Sequence, residues 1–134
     1  MELTDEQVNK LVKAAELTTR AFDESMRADD ESNVAAVLGT NDLKFETVKP
    51  QRQMILEHLV GYNNVSACTR IRVGYWNGHR LNWLNTQPAP LVTETVGVSV
   101  RVRLREGMYP IVRFEGCAAL DDIYAALNGY WIKP

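Results

Sequence analysis

Cysteine is scarce in this chain. Cys68 and Cys117 are the only two in 134 residues, 49 positions apart and without CxxC spacing. With His58 and His79 as the only histidines, the inventory predicts neither a zinc cluster nor a disulfide scaffold. The default reading is a reduced, buried pair. Long apolar runs are missing too: none approaches the roughly 18–20 residues of a membrane span. Met1-Glu2-Leu3-Thr4-Asp5-Glu6 is acidic and lacks the apolar core of a signal peptide. The expected location is therefore the cytoplasm, or the virion if the protein is viral. P-loop, GxGxxG, HExxH, GxSxG and EF-hand patterns do not occur, so no cofactor or metal is expected. Repeats, low-complexity segments and internal linkers are also missing.

What remains is the composition of an ordinary globular domain, with 46% hydrophobic and 24% charged residues and a net charge of −2. The length suits one domain spanning 1–134. Charge is unevenly distributed along it. Residues 1–67 hold 7 Lys and Arg against 12 Asp and Glu, whereas residues 68–134 hold 8 against 5. Such asymmetry points either to an acidic partner of the basic half or to packing of one half beside the other or beside a second subunit.

Local patterns divide the chain into a helical half, 1–62, a sheet half, 65–116, a C-terminal helix, 118–128, and an aromatic tail, 129–134. Thr4 and Gln7 have capping-box spacing. Val8, Leu11, Val12, Ala15, Phe22 and Met26 then recur at helical period, predicting a helix over 4–28. A short helix over Val34–Leu38, a short strand over Leu43–Val48 and a third helix from Pro50 to Gly61 follow, the last with Met54, Ile55, Leu59 and Val60 on its apolar side. From Val65 the period changes to two. Asn77-Gly78 is a hairpin signal that predicts Trp76 opposite His79 and Arg72 opposite Trp83. Val92 to Arg105 alternates cleanly, and Glu106-Gly107 turns the chain into a strand over Tyr109–Glu115. Leu120, Ile123, Tyr124 and Leu127 have the spacing of a last amphipathic helix. The predicted class is α+β: a long N-terminal helix plus short helices packed on a curved, mainly antiparallel four- to five-stranded sheet, with a C-terminal helix. This element order resembles that of the cone-shaped nuclear-transport-factor-like fold, which implies a curved sheet wrapping a long helix around a pocket. The final helix departs from that pattern.

Three constellations could carry function. Arg101, Arg103 and Arg105 lie about 6.5–7 Å apart on one strand face, close to a phosphate repeat, and each offers bidentate donors to phosphate or carboxylate. With Arg72, Trp76, Trp83, Tyr75 and Trp131 they make a candidate binding surface. His79 at the hairpin tip, supported by Asp42, is a candidate general base. Cys117, just before the predicted last helix, is a candidate nucleophile. The leading functional expectation is a non-catalytic protein that self-associates or binds a macromolecular partner, such as a small viral or mobile-element assembly component or inhibitor. A small pocket enzyme or ligand-binding domain is the alternative, and a single-stranded nucleic-acid binder is the third.

Overall fold

A computed structural model describes residues 4–11 and 26–132. Apart from one helix over residues 5–11, its regular structure is eight strands. They are β1 (Met26–Asn33), β2 (Gly39–Lys44), β3 (Gln53–Asn63), β4 (Arg70–Trp76), β5 (Leu81–Pro88), β6 (Val96–Leu104), β7 (Tyr109–Cys117) and β8 (Ile123–Ile132). They form two antiparallel sheets, ordered β1-β8-β3-β6 and β2-β7-β4-β5. Only β4 and β5 are consecutive strands paired as a hairpin; every other connection carries the chain from one sheet to the other. That wrapped order is the jelly roll, a double-sheet answer to the problem of covering two apolar sheet faces.

The core lies between the sheets. Met54, Leu56, Leu59, Ile123, Ala125 and Leu127 of the first sheet meet Leu43, Ile71, Val73, Val112 and Phe114 of the second. Each side follows strand alternation, so polar, charged and aromatic residues take most outward positions, with a few aliphatic ones such as Ile111.

The α+β expectation is overturned, and the cone-shaped arrangement with it. The capping box forms as its spacing predicts, with the Thr4 amide donating to Gln7 Oε1 at 3.0 Å and the Gln7 amide to Thr4 Oγ1 at 3.2 Å. The helix expected over 4–28 nevertheless cannot reach residue 28, because Met26–Asn33 is β1, paired with β8. Residues 12–25 of that expectation lie outside the described residues. Val34–Leu38 is a connection between β1 and β2, not a helix.

The segment expected as a third helix is β3, whose register with both neighbours shifts between Leu56 and His58. Met54 and Leu56 face the core before that bulge, and Leu59 and Gly61 after it. One extra residue thus converts a period of two into an apparent helical spacing. The C-terminal helix is likewise a strand. β8 lies between β1 and β3, with Ile123, Ala125 and Leu127 inward at a period of two, while exposed Leu120 in the preceding loop and outward Tyr124 complete the apparent helical spacing. Tyr130, Trp131 and Ile132 are its last residues, not a tail.

Of the alternation expected over Val92–Arg105, Val96–Leu104 forms β6 and holds, while Val92 is exposed in the loop before it. Val96 and Leu104 are buried, while Ser99, Arg101 and Arg103 are exposed. The turns at Asn77-Gly78 and Glu106-Gly107 also lie where expected.

Candidate contact surfaces

On the outer face of the second sheet, alternation turns Arg70, Arg72, Gly74 and Trp76 of β4 outward, beside Tyr109, Ile111, Arg113 and Glu115 of β7. Register sets the rows: Asp42, Arg113 and Arg72 share one, Lys44, Ile111, Gly74 and Trp83 the next, and Tyr109 and Trp76 the third. Trp83 joins this face through a bulge between the Val73 and Gly74 pairs. Without it Leu84 would stand opposite Gly74. Gly74 permits the bulge, since a Cβ there would lie 2.1 Å from the Asn82 carbonyl oxygen.

The side chains on this face are organised in pairs. Arg113 grips Asp42 with two hydrogen bonds, Nε to Oδ1 at 2.8 Å and Nη2 to Oδ2 at 3.0 Å, and this raises the arginine's already high pKa further. The guanidinium carbons of Arg72 and Arg113 lie 5.6 and 5.2 Å from the centre of the Trp83 ring, within cation–π range. Trp76 stacks on Tyr109 at 6.4 Å, and Lys44 Nζ stands 5.8 Å from the Tyr109 ring centre. Arg70 Nε donates to Glu115 Oε2. Arg72 Nε stands 3.9 Å from that oxygen, at ion-pair distance but too far for a hydrogen bond, and is buried without a hydrogen-bond acceptor among the described residues.

The arginine ladder does not extend this patch. Arg101 and Arg103 project from β6, an edge strand of the other sheet, where Arg101 Nη2 donates to the Tyr130 hydroxyl and its guanidinium carbon lies 5.9 Å from that ring. Arg105 lies just past the strand, in the turn to β7. The structure therefore divides the expected surface, with Arg72, Trp76 and Trp83 on one sheet and Arg101 and Arg103 on the other. Tyr75 and Trp131 pack against the core.

The chemistry-bearing candidates are separated. Asp42 is held by Arg113. His79 sits in a four-residue turn, where Asn77 Oδ1 accepts the amides of His79 at 2.8 Å and Arg80 at 2.9 Å. This side-chain turn places Trp76 opposite Leu81, and Arg72 opposite Thr86, instead of opposite His79 and Trp83. Cys117 ends a strand and has no helix dipole to activate it. It is buried with its Sγ 3.9 Å from that of Cys68, both thiols free. Burial first, and the neighbouring Cys68 second, push its pKa up to about 12. Iodoacetamide in mildly alkaline buffer is accordingly expected to label native Cys117 at least about a hundredfold more slowly than an exposed thiol. Urea should abolish the difference, and mass spectrometry of the labelled peptides reads both states.

A further surface escaped the sequence reading. The connections 34–38, 64–69, 89–95 and 118–122 all lie at one end of the sandwich and are bonded to one another. Ala36 N donates to Asp121 O, Leu120 N to Ala36 O, Asn64 N to Asp122 O, and Thr93 N to Asn63 O, at 2.8–3.0 Å. Beneath them Asp121 is buried, and its Oδ2 accepts from Asn63 Nδ2 at 2.9 Å, Ser66 Oγ at 2.5 Å and Ala118 N at 2.8 Å. Above them Val34, Val37, Leu38, Val65, Leu91, Val92 and Leu120 are exposed. Among the described residues only Val8 and Leu11 are other large apolar side chains in that state. These four connections contain no Lys, Arg or His.

Among the described residues no helix is long and apolar enough to cross a membrane. No protein-family model matches the sequence, and no curated protein does. Solved structures of similar shape include the Drosophila NLP core, described in terms of pentamer formation and histone binding, at 14% identity and a TM-score of 0.36 over 82% of this chain and 100% of that one. The capsid of Helicobacter pylori bacteriophage KHP30 is similar at 8% identity and 0.47, over 81% and 100%. A virus-like particle of the Macrobrachium rosenbergii extra small virus is similar at 9% identity and 0.43, over 79% and 77%. At these values the jelly-roll assignment rests on the strand order of the chain itself.

Proposed function

We propose that the protein is a self-associating assembly subunit whose copies meet through the loop end of the sandwich. The observation that carries this reading is the gathering of seven exposed apolar side chains on four interlocked loops, with Leu38, Leu91 and Leu120 each more than 70% exposed. An apolar group of this kind on a soluble domain marks an interaction site.

Charge narrows the occupant. The loops at the opposite end carry Lys49, Arg52, Arg80 and Arg105 against Glu46 and Glu106, whereas the apolar end carries only the carboxylates Glu94, Asp121 and Asp122. A phosphate-rich partner would meet no cation there. A second copy brings the same apolar side chains, which need no cation opposite them.

Light scattering coupled to size exclusion tests the reading. The chain is expected to run as an oligomer, and Leu38→Asp combined with Leu120→Asp to run as a monomer with an unchanged melting temperature. Each leucine is expected to contribute about 10- to 100-fold in association constant. A wild-type monomer at high concentration would overturn the proposal, as would flotation of the wild type, but not the variant, with uncharged lipid vesicles.

A further inference from the structure

The outer face of the β2-β7-β4-β5 sheet has no part in that loop-end contact, and its side chains have a chemistry of their own. It carries four cations, Lys44, Arg70, Arg72 and Arg113, against two carboxylates, Asp42 and Glu115. Both carboxylates are already occupied, Asp42 by Arg113 and Glu115 by Arg70. The face is therefore net positive on a chain whose net charge is −2. Among the described residues Lys44 and Arg72 have no carboxylate hydrogen-bonded to them, Arg72 Nε standing 3.9 Å from the Glu115 oxygen that Arg70 already holds. Aromatic rings stand beside the cations: Trp83 near the Arg72 and Arg113 guanidiniums, and Trp76 on Tyr109 beneath Lys44.

We infer that this face binds single-stranded nucleic acid, with bases stacked on Trp76 and Trp83 and phosphates taken by Arg72, Arg70 and Lys44. Successive outward residues of β4 lie about 6.5–7 Å apart, the order of the phosphate spacing in an extended strand. Rings on a sheet face accept unstacked bases of any identity, because every base has a π-face. A duplex offers no such bases, and the flat sheet provides no element to enter a groove. A sulfated polysaccharide would use the cations and leave the indoles idle, and this separates it from the proposed ligand.

Fluorescence anisotropy of a labelled oligothymidylate in low salt, with the full chain, tests the inference. Binding is expected to quench tryptophan emission and to weaken with salt at a log–log slope of about −2, since each of three phosphate contacts contributes about −0.7. Arg72→Ala should reduce that slope by about 0.7. Trp76→Ala or Trp83→Ala should each weaken binding about 5- to 100-fold, and Trp83→Phe, which keeps a ring, should recover most of the loss. Arg103→Ala on the opposite sheet should change little. Four results would overturn the inference: no binding in low salt, equal loss from Arg103→Ala, full affinity after both tryptophans are removed, or displacement by heparin that is unaltered by the tryptophan variants. None of these bears on the loop-end contact, because the Leu38 and Leu120 variants leave this face intact.

Discussion

Asp121→Ala is expected to destabilise the chain by at least about 3 kcal/mol, read as a lower urea midpoint at an unchanged slope. Three donors converge on one oxygen, Asp121 Oδ2: the Asn63 amide, the Ser66 hydroxyl and the Ala118 backbone N–H. The carboxylate is buried, so removing it deprives the buried Asn63 amide of its oxygen acceptor, and all three donors lose a charge-assisted bond. Asp121→Asn keeps an oxygen where the donors meet and sacrifices only the charge, so it should cost less than half as much. Equal losses for the two variants would show that packing, not the acceptor, holds this corner. The same knot ties loop 64–69 to loop 118–122, since Asn63 Oδ1 also accepts the Val65 and Ser66 amides. Losing it should therefore weaken self-association in proportion, through disorder of the loops that present Val65 and Leu120.

The pH dependence of this corner has a fixed sign. Burial alone would raise the Asp121 pKa, but the bonds from Ser66, Asn63 and Ala118 together outweigh it and hold the group below its ordinary value of 3.8. A carboxyl held lower in the folded chain than in the unfolded one stabilises the fold fully above the unfolded value. It loses that contribution as pH falls below 3.8 through the folded pKa. Acid unfolding of the wild type should accordingly begin below that value, and Asp121→Asn should flatten this part of the profile.

Parts of this fold were legible in the sequence for identifiable reasons. The β6 alternation could be read because an edge strand with one face outward keeps valine and arginine on opposite sides. The hairpin could be placed because Gly78, at φ +97°, needs a conformation few residues adopt. Its register could not, because the Asn77 side chain replaces the two-residue turn that Asn-Gly usually signals. β3 was misread because its bulge near Glu57 moves the inward positions from even to odd numbers, and β8 because Leu120 outside the strand and outward Tyr124 fell into helical spacing with inward Ile123 and Leu127. The site suffered the same loss. Arg72, Trp76 and Trp83 were recognisable as residue types, but only the bulge at Gly74 brings Trp83 beside Arg72 and Arg113. The loop-end surface was hidden altogether. Val34–Leu38 and Leu120 were absorbed into expected helices, and Val65 and Val92 into expected strands, so apolar residues that face outward were assigned inward roles. Exposure follows strand boundaries, and those boundaries were the error.

Phe114→Ala is expected to cost about 3–5 kcal/mol, because Phe114 is the largest of the fully buried side chains among the described residues. Its ring packs against Gly61 of β3 on the opposite sheet. A Cβ there would stand 2.6 Å from Val112 Cγ1 and 3.2 Å from Phe114 Cζ, both on the opposite sheet. The glycine read from sequence as a helix stop is therefore a packing position, where lack of a side chain lets the Phe114 ring seat against β3. Gly61→Ala should itself cost about 1–3 kcal/mol by overpacking. The two changes act on one volume in opposite directions, so they should not add. In the Val112→Ala background, where the nearest clash is gone, Gly61→Ala should fill space instead of contesting it and cost at least about 1 kcal/mol less than in the wild type. Urea titrations of the four members of the Gly61–Val112 cycle measure this coupling. Additive losses would mean that the sheets part to admit the methyl group, and that strand pairing, not close contact between sheets, sets their separation.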